Sequence, residues 1–307
     1  MNVKKYITID IGGTEIKYGI LDEKEEFLCR YKMKTEAAKG GNAILQKVTG
    51  IVQELLEENN RFGGEQDEIK GICVSTAGMV DTNTGRIFYS APLIPEYVGI
   101  NYKESLEEKY GLPCEVENDV NCAGLAESES GASKGSKISL MLTVGTGIGG
   151  CIVMDGKVFH GCSGSACEVG YMHMAGGDFQ TLGAASILTK KVSEWKNEPQ
   201  ENWNGYRIFE EAKKGDVLCN RAIDEMTEVL GQGIANICYV LNPEVVVLGG
   251  GIMAQEAFLR EKIEASMKKY LVSGIFEHTK LAFARHRNDA GMLGAYYHFC
   301  KMQKERA

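Results

Sequence analysis

Glu117-Asn118-Asp119-Val120-Asn121 places carboxylates and amides side by side where a short strand gives way to a helical pattern. Asp119 there can serve as a general base, with Asn118 fixing a hydroxyl, and a carboxylate in that role contributes ~10²–10⁴-fold in rate. Asp is also a favoured helix N-cap, and the spacing alone leaves both roles open. A second constellation is Asp10-Ile11-Gly12-Gly13-Thr14. Glycines in such a turn let backbone N–H groups approach a phosphate, because no Cβ blocks the way. Thr14 adds a hydroxyl, Lys17 adds charge or points to solvent, and Asp10 is placed to hold water on Mg²⁺, which keeps much of its hydration shell. A hairpin turn with a capping Asp is the plainer alternative. The third is Val144-Gly145-Thr146-Gly147-Ile148-Gly149-Gly150, too dense in glycine for a simple hairpin. It is not a dinucleotide fingerprint, since a strand rather than a helix follows, and no Gly-Lys-Ser/Thr of a Walker loop occurs in the chain. The fourth, Val247-Leu248-Gly249-Gly250-Gly251-Ile252, runs a strand into three glycines. It reads as a close approach to a flat ring or phosphate, or as a tight strand-to-helix turn.

The elements that position these residues follow from hydrophobic period and from glycine and proline punctuation. Strands are expected at Tyr6–Asp10, Ile16–Leu21, Phe27–Lys34, Ile69–Ser75 and Cys114–Glu117, and helices at Asn42–Asn59, at Tyr102–Tyr110 and opened by Asn118-Asp119 through about Ser130. The pattern then restarts. Strands are expected at Ser139–Val144, Cys151–Met154, Lys157–His160 and Val245–Leu248. Helices are expected at Ala184–Trp195, Ile208–Lys214, Val217–Leu241 and Ala290–Gln303. Asp10–Asp22 can be laid without gaps over Thr143–Asp155, so that Gly12 meets Gly145 and Asp22 meets Asp155. Two α/β domains of one kind, facing one another, are the simplest account of this echo, and two unrelated glycine hairpins are the alternative. A pair of phosphate hairpins, one per domain, then suits a nucleotide.

Composition bounds the reading. The 307 residues suffice for two domains, and a net charge of −8 argues against a nucleic-acid partner. Hydrophobic residues make up 44% and charged residues 25%, ordinary for a globular chain. Glycine is abundant at 37 residues while proline numbers only 5, so the glycines belong to turns and close approaches rather than to flexible linkers. The longest uncharged run, Ile138–Met154, is broken by glycines and falls short of a membrane span. The start Met1-Asn2-Val3-Lys4-Lys5 is basic, but Asp10 interrupts the apolar stretch, so no secretory leader is expected. Without export, the ten scattered cysteines read as buried thiols in a soluble cytoplasmic protein.

Taken together, the ordered stretches resemble the ROK family of sugar kinases and sugar-responsive repressors. They are Asp10–Thr14, Ser75–Asp81, Glu117–Asn121, Thr143–Gly150, Glu168–Tyr171, Leu248–Gly251 and Asn288–Ala295, and they cover nearly the whole chain. The resemblance implies an actin-like, hexokinase-type α/β fold of two domains around a cleft. The expected domains are residues 1–118 plus 291–307 and residues 119–290, with the final helix packed on the first. It further implies transfer of the γ-phosphate of Mg·ATP to a sugar hydroxyl, usually at C6, a reaction carried by positioning and charge stabilisation. By this likeness Asp119 is the catalytic base and a substrate residue, and Asn118, Gly78 and Glu168 contact the sugar. Asp10, Gly12, Gly13, Thr14, Thr146 and Gly147 form the phosphate and Mg²⁺ loops, with Asp10 reaching the metal through water, and Gly249 and Gly250 flank the adenosine. Domain closure is expected to keep water from the phosphate. The family also implies a homodimer, with no membrane and no nucleic acid as partner.

The departures matter as much. Tyr171 replaces a family His, and Val169–Ser193 holds neither cysteine nor glutamate, so the family's structural zinc site is not expected. His160, Cys162, Cys167 and His173 match no standard zinc spacing, and Cys162 and Cys167 read as buried small hydrophobes. The family's missing second glutamate and the His approach the C1/C2 end of the sugar. Their loss implies tolerance there of an aglycone or an N-acetyl group, as in β-glucoside and N-acetylmannosamine kinases of the family. Ala77 replaces a common proline, and nothing explains that change. Two other functions stand beside the kinase: a catalytically silent sugar sensor of the same fold, and a family transcriptional regulator. Asp10 opens the phosphate motif too early for the DNA-binding module a regulator needs.

Overall fold

The computed structural model describes residues 3–61 and 69–306. In chain order the elements are β1 (Lys5–Ile11), β2 (Glu15–Asp22), β3 (Phe27–Lys34), α1 (Gly41–Arg61), β4 (Ile69–Thr76), β5 (Met79–Asp81), β6 (Arg86–Tyr89), α2 (Tyr102–Tyr110), β7 (Cys114–Asn118) and α3 (Asp119–Glu129). The second half continues with β8 (Ile138–Val144), β9 (Ile148–Met154), β10 (Lys157–Val158), β11 (His173–Met174), β12 (Gly177–Asp178), α4 (Phe179–Gly183), α5 (Ala185–Lys196), α6 (Gly205–Lys213) and α7 (Val217–Leu241). It closes with β13 (Val245–Gly249), α8 (Glu256–Tyr270), α9 (Ser273–Phe276), β14 (Lys280–Phe283) and α10 (Ala290–Arg306). Two compact units result. The first is Met1–Ala126, His160–Ser165 and Asn288–Ala307, and the second is Glu127–Phe159 and Ala166–Arg287. The boundary drawn at 118/119 from the sequence falls at the β7–α3 junction inside the first unit, and the return at 288 lies three residues before the one drawn at 291.

The first unit is built on a five-stranded sheet ordered β3-β2-β1-β4-β7. β1–β2 and β2–β3 are antiparallel, and β1–β4 and β4–β7 are parallel. β1 lies inside the sheet, so Tyr6 to Ile9 are buried without alternation, as a strand covered on both faces should be. α1 buries Ile44, Val48, Ile51, Val52 and Leu55, the 3.6-residue stripe legible in the sequence. α10 packs across β4, β1 and β7. It can do so closely because a Cβ on Gly71 of β4 would stand only 2.1 Å from the Phe299 ring.

The second unit repeats the plan, with order β10-β9-β8-β13-β14. Its first two pairings are likewise antiparallel and its last two parallel. The echo in the sequence is therefore an echo in topology, with one correction. Ile11 pairs with Ile16, leaving residues 12–15 as the turn, whereas Val144 pairs with Ile148, leaving only residues 145–147. The ungapped overlay slips by one residue after the turn. Asp22 pairs with Lys5 and its counterpart is Met154, paired with Ile138, not Asp155. The core of this unit gathers around α7, whose Ala222, Ile223, Met226, Leu230 and Ile234 are buried among Leu140, Leu142, Val246 and Leu248 of the sheet.

Several elements are not among those expected from the sequence: the β5–β6 hairpin, α8, β14 and the short β11–β12 pair. The expected strand at Lys157–His160 contracts to Lys157–Val158. Cys73, Cys114, Cys122, Cys151, Cys219 and Cys238 are buried, as expected of apolar thiols, but Cys162 is exposed and Cys167 only partly buried. Both sit in the 160–168 segment, where Cys167 packs against the core of the second unit. Among the described residues no helix is long and apolar enough to cross a membrane.

Candidate active site

In open α/β sheets ligands gather at the carboxyl ends of the parallel strands. In the first unit those ends are Asp10 on β1, Ser75-Thr76 leading to Gly78 after β4, and Asn118 on β7. Asp10 lies opposite Lys17 on β2 and Ser75 on β4 in register. Ser75 Oγ donates to Asp10 Oδ1 at 2.7 Å, and Lys17 Nζ stands 3.6 Å from Oδ2. Lys17, for which the sequence allows two roles, thus faces the carboxylate. These two groups do not fully offset burial, which pushes the Asp10 carboxyl above its ordinary range. An under-compensated carboxylate still 13% exposed suits a hard, hydrated divalent cation. The first turn of α10 presses on the same group: a Cβ on Gly291 would lie 2.3 Å from Asp10 Oδ1, so no larger residue fits.

The turn after β1 is braced from behind. Gly12 N–H donates to Glu15 O at 3.0 Å, Thr35 Oγ1 donates to Gly12 O at 2.6 Å, and Thr35 N–H donates to Thr14 O at 2.9 Å. Gly12, Gly13 and Thr14 therefore form a fixed loop beside Asp10. Thr35, just past β3, carries no signal in the sequence.

Gly78 adopts φ +94°, a conformation that favours glycine, and its carbonyl accepts from Asn118 Nδ2 at 2.9 Å. The second Nδ2 hydrogen goes to Asp119 Oδ1 at 3.0 Å, while Asn118 Oδ1 accepts from Val120 N–H at 2.9 Å and Asn121 N–H at 3.0 Å. Capping of α3 is thus done by Asn118, not by Asp119 as the plainer sequence alternative has it. It also occupies both donors and both acceptor positions of the Asn118 side chain. A sugar hydroxyl contacting Asn118 would have to displace one of these bonds. Asp119 stands in the first turn of α3, where the helix N-terminus favours its anionic form. Near it lies a chain of buried hydroxyls, Thr76 Oγ1 to Tyr97 at 2.5 Å and Tyr97 to Tyr102 at 3.0 Å. Burial pushes the Tyr97 phenol up to about 12, and the charge of Asp119 adds to the rise.

The second unit gathers its candidates at the matching ends of β8 and β13. Thr146 and Gly147 form the β8–β9 turn, closed by Gly145 N–H to Gly147 O at 2.9 Å and tied down by Ser186 Oγ to Thr146 O at 2.8 Å. Gly249 ends β13, and Gly250 follows at φ +109°, where a Cβ would lie 2.2 Å from Val144 O. That contact sets the 249–250 turn directly against the strand leading into the 145–147 loop. Such a glycine-only cradle fits a phosphate or a ring edge.

Glu168 is exposed in this unit, yet its carboxyl is desolvated enough to be pushed above the ordinary carboxylate range. It follows Cys167, a non-glycine residue at φ +67° whose thiol burial pushes up to about 12. A left-handed non-glycine residue costs about 1–2 kcal/mol. Cys167→Gly relieves that cost and loses the contact of the thiol with Gly150, so a rise in melting temperature of ~2 °C is expected in a thermal melt. A fall of several degrees would show the backbone there to be unstrained.

The Cys/His cluster does not assemble. His160 Nε2 donates to Glu117 Oε2 at 2.6 Å, and His173 Nδ1 pairs with Asp178 Oδ1 at 2.7 Å on the surface. Among the described residues no group of three or more His, Cys, Asp or Glu is placed to hold a metal ion. Tyr171 is 44% exposed.

The ROK family model matches residues 6–301. An uncharacterised protein of Clostridium perfringens is 47% identical over 294 residues, covering 96% of this chain and 97% of its own. The β-glucoside kinase of Listeria monocytogenes is 32% identical over 96% of this chain and 97% of its own. A solved structure from Listeria monocytogenes, Lmo2764, described as a candidate N-acetylmannosamine kinase, is 31% identical, with TM-score 0.85 over 97% of this chain and 99% of that one. The repeated sheet is that of the actin-like, hexokinase-type fold.

Proposed function

The chain belongs to the ROK family, and we propose that it transfers the γ-phosphate of Mg·ATP to a hydroxyl, at C6, of a hexose, an N-acetylhexosamine or a β-glucoside. It is a carbohydrate kinase, as its kinase-named relatives are. The observation that carries the reading is the convergence of Asp10, Gly78, Asn118 and Asp119 at the carboxyl ends of β1, β4 and β7 in one unit. Asp119 accepts the proton of the sugar hydroxyl, held in place by Asn118 and by the start of α3. Gly78, braced by Asn118, presents its backbone to the sugar, and Glu168 is a sugar contact by the family likeness. Asp10 holds Mg²⁺ through water, and the ion supplies neutralisation of charge on the transferring phosphate. Gly12, Gly13, Thr14, Thr146 and Gly147 hold the phosphates, and Gly249 and Gly250 the adenosine. The family likeness also supports a homodimer working in the cytoplasm.

The absent second glutamate and the Tyr171 exchange support a pocket open toward C1 or C2 of the sugar. Phe88 and Tyr89 at the end of β6, 39% and 44% exposed, support an apolar or second-ring substituent, because Tyr89 O lies beside Gly78. A coupled ADP-release assay across glucose, N-acetylmannosamine, N-acetylglucosamine, fructose, mannose, cellobiose and an aryl β-glucoside tests the function. Turnover of at least one is expected, with product phosphorylated at C6. Silence on the whole panel with nucleotide binding intact would favour the silent sensor.

A further inference from the structure

Glu117 is the penultimate residue of β7, and its side chain is only 1% exposed. A buried carboxylate is tolerated only when both oxygens are paired. Here Oε1 accepts from Asn118 N–H at 2.8 Å and from Asn121 Nδ2 at 3.0 Å, so it braces the residues on either side of Asp119. Oε2 faces two histidines. His160 Nε2 donates at 2.6 Å, and His298 Nδ1 on α10 lies at 3.6 Å. His298 is 5% exposed, and its Nε2 has no hydrogen-bond partner among the described residues. His160 opens the segment His160–Ser165, which groups with the first unit although the residues before and after it belong to the second. Further along, Gly164 sits against Phe88, a Cβ there coming within 3.3 Å of the ring.

The charge states fit a directed bond. The Glu117 hydrogen bond holds the His160 imidazole above its ordinary pKa, against the opposing effect of burial. Burial drives Glu117 upward, but the bonds from His160 and Asn121 and the charge of a protonated His160 outweigh it and leave the carboxyl below its usual range. Burial pushes His298 the other way, toward the neutral form, despite the nearby Glu117 and Glu115, and Lys103 adds to that fall. Glu117 thus favours the protonated form of His160, while burial favours the neutral form of His298 beside them.

We propose that His160 is a positioning residue: by holding Glu117 Oε2 it fixes the bracing of Asn118 and Asn121, and hence the aim of Asp119, and it ties the 160–165 segment to the first unit. This rests on Asp119 being the base of a sugar kinase. Without His160 the buried carboxylate must rotate, take up a proton or admit water, and its bonds to Asn118 and Asn121 shift. A displacement of ~1 Å at a reacting group is enough for a loss of ~10²-fold.

The test compares wild type, His160→Leu and His160→Gln by ADP release on the best sugar. For His160→Leu, kcat is expected to fall ~10–100-fold, with KM for ATP within about twofold of wild type. His160→Gln, which keeps a donor for Glu117, is expected to recover to within about fivefold. Above the raised imidazole pKa the wild type loses its charged donor, so its kcat declines there relative to that of His160→Gln, whose amide does not titrate. Wild-type kcat and sugar KM in His160→Leu would overturn the proposal, as would equal loss in both variants. Should His160→Leu fail to fold, the pH profiles decide, and profiles of identical shape overturn it. A wild type silent on every sugar would overturn the kinase reading and this role together, whereas an active wild type with an indifferent His160 overturns this role alone.

Discussion

Asp119→Asn is expected to lower kcat by ~10²–10⁴-fold while leaving the fold and nucleotide binding intact. The magnitude is that of a general base, because the amide cannot accept the hydroxyl proton. The selectivity of the loss follows from the local bonds. α3 is capped by Asn118, which accepts from Val120 and Asn121 N–H, so exchanging Asp119 does not uncap the helix. An amide oxygen at position 119 can still accept from Val120 N–H and from Asn118 Nδ2, as Oδ1 does now. Melting temperature should therefore stay within ~2 °C, and ATP affinity by calorimetry within about twofold. Asn118→Ala should behave differently. It removes the cap and the tie to Gly78, so it should cost ~1 kcal/mol of stability as well as activity. Unchanged turnover in Asp119→Asn would remove Asp119 as the base and require another acceptor for the hydroxyl proton.

Much of this arrangement is legible in the sequence, for local reasons. Glycine turns punctuate strands of β-branched residues, so β1–β2, β8–β9 and β13 can be placed from Asp10–Thr14, Gly145–Gly150 and Gly249–Gly251. The helical stripe of α1 is equally local. What the sequence hides depends on register or on distant partners. Ser75 and Lys17 flank Asp10 only because three strands pair at one level, and a one-residue slip would turn either side chain to the opposite face. The overlay of the two glycine hairpins fails after the turn for the same reason, the loops differing by one residue. β14 is four residues long and lies after a polar stretch, too short for a period to show. The His160–Glu117 bond joins residues 43 apart, so the sequence offers His160 only as one of a scattered Cys/His set.

Asp10→Asn should separate function from stability in the opposite sense to a core mutation. With Asp10 uncharged, the hydrated metal loses its anchor, and a loss of several kcal/mol of charge stabilisation corresponds to ~10²–10³-fold in kcat. The metal concentration needed for half-maximal rate should rise with it. Stability should not fall. Burial outweighs Lys17 and Ser75 in holding the Asp10 carboxyl above its ordinary range, so ionised Asp10 strains the fold rather than supporting it. The asparagine keeps an acceptor for Ser75 Oγ and leaves Lys17, 28% exposed, to solvent. The sign with pH follows from linkage. A carboxyl whose folded pKa is raised takes up a proton in the folded state before the unfolded chain does, so the wild type gains relative stability as pH falls toward that raised value. Melted without added metal, Asp10→Asn should therefore equal or exceed the wild type near pH 8, and the difference should shrink on acidification. A variant that melts far below the wild type at pH 8 would mean that Asp10 is a structural ion-pair partner of Lys17. Its place at the end of β1 would then say nothing about phosphoryl transfer.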